Sequence, residues 1–333
     1  MAAELRATSD EELRRCLEGA LTEVEAGAPR VVGLKRRPFA YETSFAIDEL
    51  RVDLDGGEEL DLLVKDIGAG LSDAAAAAKP SRAIDPRREI AVYRHLLRPS
   101  GVPAPRFYGA AEGGADGRAW LFLERVPGEV LTDIGEPETW RATARWAAQL
   151  GAAVAADRDP TLDRLLLHRD RDWHEHWIGA AAAACGDSDQ AGLASRLRQA
   201  GPALLNRLDD LPRAFVHGEL YASNVIVQQR VGEQAQVKPV DWEMAGTAPF
   251  ALDLAALLSG WAGEERRAMC EAFRAALPGE RAISAADLLA AATLCELALA
   301  LQWLGWSSGW QPPAEHRRDW AAEAERLLEE ADL

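Results

Sequence analysis

The chain opens with apolar positions at helical spacing. Leu13, Leu17, Ala20, Leu21 and Val24 recur every three or four residues after Ser9-Asp10-Glu11-Glu12, a polar cluster of the kind that starts a helix. From Val31 the pattern becomes strand-like. Val31-Val32-Gly33-Leu34, an alternating stretch from Phe45 to Leu54, and Leu60 to Ile67 follow one another, with Asp55-Gly56-Gly57 as a turn signal. Three such strands in succession predict an antiparallel meander. The alanine-rich stretch Ala74 to Ala78 predicts a loop or short helix. Asp85-Pro86 then supplies an N-cap and first helical residue for a helix with Ile90, Tyr93 and Leu97 on one face. Beyond the break at Pro103 to Pro105, Arg106 to Ala110 and Trp120 to Leu123 read as two more strands, the second ended by Val126-Pro127-Gly128.

After Glu138 the character changes to long Ala- and Leu-rich helical segments that run to about Leu211, interrupted near Gly186-Asp187. Ala214-Phe215-Val216, a compact polar loop and Val225-Ile226-Val227 come next. A strand from Val237 to Val240 leads into Asp241, and the remainder reads as helical. The expected fold class is α+β and two-lobed. An N-terminal helix occupies 1–28, a small antiparallel-β lobe with one key helix 29–126, and a larger α-helical lobe 127–333, with a hinge at Glu124 to Gly128. The most apolar long stretch, Leu288 to Trp306, is interrupted by Glu296 and Gln302, which predicts a buried helix rather than a membrane span.

Composition narrows the function. The 333 residues carry a net charge of −17, which argues against a nucleic-acid partner, whose phosphates need a basic surface. The same charge suits a cationic substrate, and equally an acidic surface that keeps the chain dissolved. Cys16, Cys185, Cys270 and Cys295 form no CxxC pair, so reduced thiols in a cytoplasmic protein are expected. The N-terminus shows no apolar signal core. His174 and His176, two apart, do not share a helix face and do not read as a metal site.

The chemistry concentrates in His217-Gly218-Glu219-Leu220-Tyr221-Ala222-Ser223-Asn224 and Val240-Asp241-Trp242-Glu243. An acid and an amide sit five apart in a polar loop between apolar runs, and a second acid ends a strand seventeen residues after the amide. Oxygen ligands of the Asn224 and Asp241 kind hold Mg²⁺, and a carboxylate at Glu219 can accept a proton from an attacking hydroxyl. Metal, orientation and base are what phosphoryl transfer requires. Glu296, in the apolar helix, needs a partner, either an arginine of the fold or a substrate amine. Trp306 and Trp310, flanked by Gly305, Ser307, Ser308 and Gly309, read as an open loop whose indoles can stack on a substrate.

The loop spacing resembles the kinase catalytic loop followed by a DFG-type aspartate, and the His-Gly start and Asp-Trp-Glu ending are similar to the aminoglycoside phosphotransferase and choline kinase family. The resemblance runs from about Val31 to the C-terminus in element order. It implies a protein-kinase-like fold, ATP (with GTP open) and Mg²⁺ as cofactors, and a small hydroxylated acceptor: a sugar, aminosugar, aminoglycoside-like metabolite or amino alcohol. It further implies His217, Glu219 and Asn224 as the catalytic loop, Lys65 on the nucleotide phosphates with Glu89 as its ion-pair partner, and adenine contacts from the backbone of Glu124 and Val126. Asp253 corresponds to an aspartate that braces the loop. Thr43 and Ser44, in the connection between the first two strands, are the phosphate contacts in place of a glycine-rich loop. The sequence departs from the pattern at Glu219, where the family usually has Asp, and in that glycine-poor connection. The alternative those departures leave is a nucleotide-binding scaffold. A protein kinase is disfavoured, since only twelve residues separate Asp241 from Asp253 and no Ala-Pro-Glu follows.

Overall fold

Ser9 accepts the amide of Glu12 and starts helix α1 (Asp10–Val24), whose Leu13, Leu17, Ala20 and Leu21 are buried. In this computed structural model, residues 8–39, 45–67, 83–113, 118–154, 158–186, 190–229, 235–279, 282–307 and 318–333 are described. Thr43, Ser44, Trp310 and the alanine-rich stretch at Ala74 lie outside them. Helix α1 covers one face of a five-stranded antiparallel sheet of β1 (Val31–Pro38), β2 (Ala46–Leu54), β3 (Glu59–Asp66), β4 (Phe107–Glu112) and β5 (Ala119–Glu124), in the order β1-β2-β3-β5-β4. The meander read from the sequence is its first three strands. Gly109 of β4, at φ +112, lets α1 come close, because a Cβ there would sit 2.2 Å from the Ala20 carbonyl oxygen.

Between β3 and β4, Asp85 accepts the Arg87 amide and Pro86 opens helix α2 (Pro86–Val92). The helix continues through a π-turn, Tyr93–Leu97, and closes at Gly101 in the left-handed region. It packs on the sheet face opposite α1, on the side of the large lobe.

The large lobe begins with β6 (Glu129–Val130) and α3 (Pro137–Ala153), followed by a helical turn at Pro160–Asp163, β7 (Leu167–His168), α4 (Arg171–Gly186) and α5 (Ala191–Asp209). Strands β8 (Arg213–Val216), β9 (Val225–Gln228), β10 (Gln236–Pro239) and β11 (Gly246–Pro249) carry the central loops. Helices α6 (Leu252–Leu258), α7 (Gly263–Ala276), α8 (Ala285–Trp306) and α9 (Trp320–Glu330) complete it. Strands β7 and β11 depart from the helical reading of their regions, and the two-residue β6 stands in a stretch to which the sequence reading gave no element. They are held by pairing with β9, β11 and β8, contacts that leave no periodic signature in so few residues. Helix α8 is long and apolar enough to cross a membrane, but 89% of its most apolar window is buried inside the protein, as the buried-helix reading requires. One apolar core runs from Ile90, Tyr93 and Leu121 of the small lobe to Trp146, Leu220 and Trp242 of the large lobe, so the lobes meet without a gap behind the site.

Candidate active site

Strand alternation aims the small-lobe residues. Leu60, Leu62 and Val64 point into the core under α1, which turns Lys65 to the opposite face, toward α2. Its Nζ is 2.7 Å from Glu89 Oε2 and 2.7 Å from Asp241 Oδ1, and 5.5 Å above the Phe45 ring. Burial works against the ammonium, yet Asp241 and Glu89 hold its pKa well above the ordinary lysine value. The other Glu89 oxygen accepts the amide of Trp242 at 3.2 Å. The inward-facing Glu89 and its pairing with Lys65 follow the sequence reading.

Strand β8 delivers the catalytic loop. Gly218 sits at φ +90, and a Cβ there would lie 2.3 Å from the Met244 carbonyl and 2.6 Å from an Arg169 nitrogen. Asp253, at the start of α6, accepts the amides of His217 (2.7 Å) and Gly218 (2.9 Å). Burial pushes its pKa up to about 6 despite those two donors. The fully buried His217 ring donates Nε2–H to the Val240 carbonyl at 2.9 Å and accepts the Glu219 amide on Nδ1 at 3.3 Å. Those bonds require the neutral Nε2–H tautomer, and burial pushes its pKa down to about 4. With both nitrogens engaged, His217 shapes the loop. Asn224 donates its amide to the Glu219 carbonyl at 2.9 Å, and its own carbonyl accepts the Val240 amide at 2.9 Å, tying the loop to the strand end that carries Asp241. Arg169 donates to the carbonyls of Met244 and Gly218 beneath the loop. Burial lowers its pKa to about 10, with the Glu219 and Asp253 charges acting the other way, so it stays cationic at neutral pH.

Carboxylate oxygens of Glu219, Asp241 and Glu243 all lie within 4.8 Å of one another. Asp241 and Glu243 offer the hard oxygen donors that a divalent cation such as Mg²⁺ takes, so the residues present fit the metal, with Glu219 standing beside them. Asp241 is held at φ 66, a left-handed conformation that non-glycine residues seldom adopt. The next residue fixes it. The fully buried Trp242 indole packs 4.5 Å from the His217 ring and edge-on to Trp146 and Tyr93 at 5.8 and 6.4 Å.

Beside the loop, Tyr221, Ser259, Glu296, Trp303, Trp320 and Glu323 surround a narrow hollow of about 10 Å³, the size of a single water. Trp303 donates its indole N–H to the Tyr221 hydroxyl at 2.7 Å, and Tyr221 lies two residues after Glu219. Of the two partners offered for Glu296, the structure supplies the arginine: Arg266 grips its carboxylate at 2.7 and 2.5 Å, which neutralises it as a free anion for a substrate amine. Trp306 departs from the open-loop expectation. It ends α8, is 5% exposed, and packs edge-on to Trp177 and Trp303. The Glu124 carboxylate is taken by Lys238 at 2.7 Å and the Arg106 amide at 2.9 Å, and its amide by the Arg106 carbonyl, so no side-chain or N–H contact to a nucleotide remains there. The adjoining Val126 is buried. Sequence reasoning gave no role to Glu243, Arg169 or Tyr221. The Asp-x-Glu spacing at 241–243 was a usable signal for Glu243, whereas Arg169 lies 49 residues from the loop it supports.

The model of the phosphotransferase enzyme family matches residues 50–289, and the chain belongs to that family. It is 33% identical over 196 residues to viomycin phosphotransferase of Streptomyces vinaceus, covering 58% of this chain and 66% of that one. It is 29% identical over 191 residues to homoserine kinase of Hyphomonas neptunium, covering 54% and 53%. The matches thus span about two thirds and about half of those relatives. Among solved structures, the Plasmodium vivax ethanolamine kinase superposes with a TM-score of 0.58 at 15% identity, covering 90% of this chain and 82% of that one, a shared kinase-like fold. The chain is therefore a member of the phosphotransferase enzyme family with a kinase-like fold.

Proposed function

We propose that the protein transfers the γ-phosphoryl group of ATP, with Mg²⁺, to a hydroxyl of a small molecule carrying an amine or sugar. The observation that carries this reading is the meeting of Lys65 and Glu89 from the small lobe with Asp241, Glu243 and Glu219 from the large lobe. In this reading Lys65 binds phosphate oxygens, and Asp241 and Glu243, with Asn224, hold the metal. A bound Mg²⁺ would neutralise charge on the transferring phosphate. Glu219 orients the acceptor hydroxyl and takes its proton as the hydroxyl oxygen bonds to the γ-phosphorus. The bond from that phosphorus to the bridging oxygen breaks, and the nucleoside diphosphate leaves with the electron pair. His217, Asp253 and Arg169 hold the loop that presents Glu219.

The acceptor, a small hydroxylated molecule, would meet Glu219 from the side of Tyr221, two residues along the loop. The names of the relatives, an antibiotic kinase, a homoserine kinase and an ethanolamine kinase, support an acceptor of this size and kind. A nucleotide-consumption screen with ATP and with GTP, against sugars, aminosugars, aminoglycosides, homoserine and amino alcohols, tests it. Mg²⁺-dependent diphosphate release that needs both an acceptor and Asp241 is expected. Turnover unchanged in Asp241→Ala would overturn the reading.

A further inference from the structure

The six residues from Lys238 to Glu243 are stitched to the small lobe at four points. Lys238 Nζ grips both carboxylate oxygens of Glu124, at the end of β5, at 2.7 Å. Asp241 meets Lys65 at 2.7 Å, and the Trp242 amide donates to Glu89 at 3.2 Å. The Glu243 carbonyl accepts Arg88 Nη1 at 2.7 Å. Two of these contacts belong to the site already described. The other two come from cations with no part in the chemistry, one on each side of Asp241.

Arg88 is the more unusual. It is 2% exposed on a helix that otherwise carries the small lobe's anion. Besides Glu243 it donates to the carbonyls of Leu165 and Ala83, both at 2.7 Å. One side chain thus ties α2, the loop before β7 and the metal-binding segment together. Successive helical residues point about 100° apart, so Arg88 reaches the large lobe while Glu89 reaches Lys65. Burying two cations costs solvation that apolar side chains would spare. What Arg88 and Lys238 secure is the position of Asp241, whose left-handed backbone persists only if its surroundings over-determine it.

We propose that Arg88 and Lys238 are positioning residues for phosphoryl transfer, clamping the segment 238–243 to the small lobe so that the Lys65–Asp241 site is assembled before nucleotide arrives. The nucleotide part of the proposal rests on the phosphotransferase reading; the clamp itself is a property of the ligand-free chain.

Arg88→Met and Lys238→Met keep bulk and remove charge, and Arg88→Lys restores a cation with fewer donors. Two measurements decide: amide hydrogen exchange in the ligand-free protein, and ATP affinity in Mg²⁺ against ATP affinity in EDTA. In Arg88→Met, exchange across 238–244 should rise by about tenfold or more while that of α8 stays put. The gain in ATP affinity conferred by Mg²⁺ should fall by about tenfold or more, with affinity in EDTA changed less than about threefold, because misplacing Asp241 harms the metal arm selectively. Arg88→Lys should recover part of both, and Lys238→Met should move both in the same direction. Variants that merely melt earlier, with the parent's protection over 238–244 and the parent's Mg²⁺-dependent gain, would overturn the proposal. Should Arg88→Met fail to fold, Lys238→Met decides by the same readouts. A parent whose ATP affinity gains nothing from Mg²⁺ contradicts the phosphotransferase reading instead, and exchange still decides the clamp.

Discussion

Lys65 of the small lobe and Asp241 of the large lobe stand 2.7 Å apart, with Glu89 equally close on the other side of the ammonium. One cation therefore serves two anions, one in each lobe; Lys65 and Glu89 are buried and Asp241 is partly exposed. Removing the cation leaves two uncompensated carboxylates facing each other. We expect Lys65→Met to cost about 3 kcal/mol or more of stability, the scale for stripping one partner from a buried ion pair. Adding Glu89→Gln should return part of the loss, since it removes one of the stranded charges. Urea denaturation of the single and double variants measures both, and a Lys65→Met protein as stable as the parent would contradict the arrangement.

The contribution of the buried histidines to the pH dependence of stability has a definite sign. His174 and His217 are buried, and burial pushes each pKa down to about 4. The unfolded chain protonates these rings near the ordinary histidine value of about 6.5. Between those values the unfolded state binds protons that the folded state refuses. Stability is therefore full above the upper value and is lost as pH falls toward the lower one, by about 3 kcal/mol per histidine. Asp253, raised to about 6 by burial, acts oppositely: the folded chain takes up its proton first, so its contribution grows as pH falls from that value. Glu89 and Glu296, also raised by burial, act in the same sense as Asp253, so the histidine share is read from the difference between parent and variant. As pH falls from about 6.5 to about 4, the parent should lose stability relative to His174→Gln, measured as denaturant midpoints. A difference independent of pH would refute the buried neutral His174.

Gly218 holds a backbone position that excludes a side chain. Its positive φ and the carbonyl 2.3 Å from a hypothetical Cβ leave no room. Gly218→Ala should cost at least about 2 kcal/mol through strain and displaced contacts, and should abolish turnover by moving Glu219. Chemical denaturation with an activity assay checks this. An alanine variant that keeps both stability and turnover would show that the loop tolerates the shift.

Much of this was legible in the sequence because local signals and chemistry coincide there. The meander, the capped α2 helix and the loop from His217 to Asn224 rest on periodicity, caps and motif spacing, and Lys65 and Glu89 came from the family resemblance, with helix phase consistent with an inward Glu89. What was not legible depends on long-range packing. Strands β6 and β7 are two residues each and exist through their partners. Arg266 claims Glu296 from thirty residues away. Trp306 looked exposed because small polar residues surround it in the chain, yet in space its neighbours are Trp177 and Trp303. Arg88 and Lys238 carry no motif, and only the folded chain shows that they flank Asp241.

The central claim is that Glu219, the longer acid in a position usually held by aspartate, takes the proton of the acceptor hydroxyl. Steady-state turnover of Glu219→Gln on an acceptor identified by the screen tests it most directly. The substitution keeps shape and removes charge, while Asp241 and Glu243 remain to hold the metal. Turnover should fall by about 100-fold or more, the usual scale of general-base catalysis, with ATP affinity in Mg²⁺ nearly unchanged. Glu219→Asp tests the departure itself: impaired turnover is the result of a loop adapted to the longer side chain, and equal or better turnover that of a parent whose base is attenuated. Glutamine at this position turning over the acceptor as fast as the parent would contradict the account and reduce the loop to a holder of metal and phosphate.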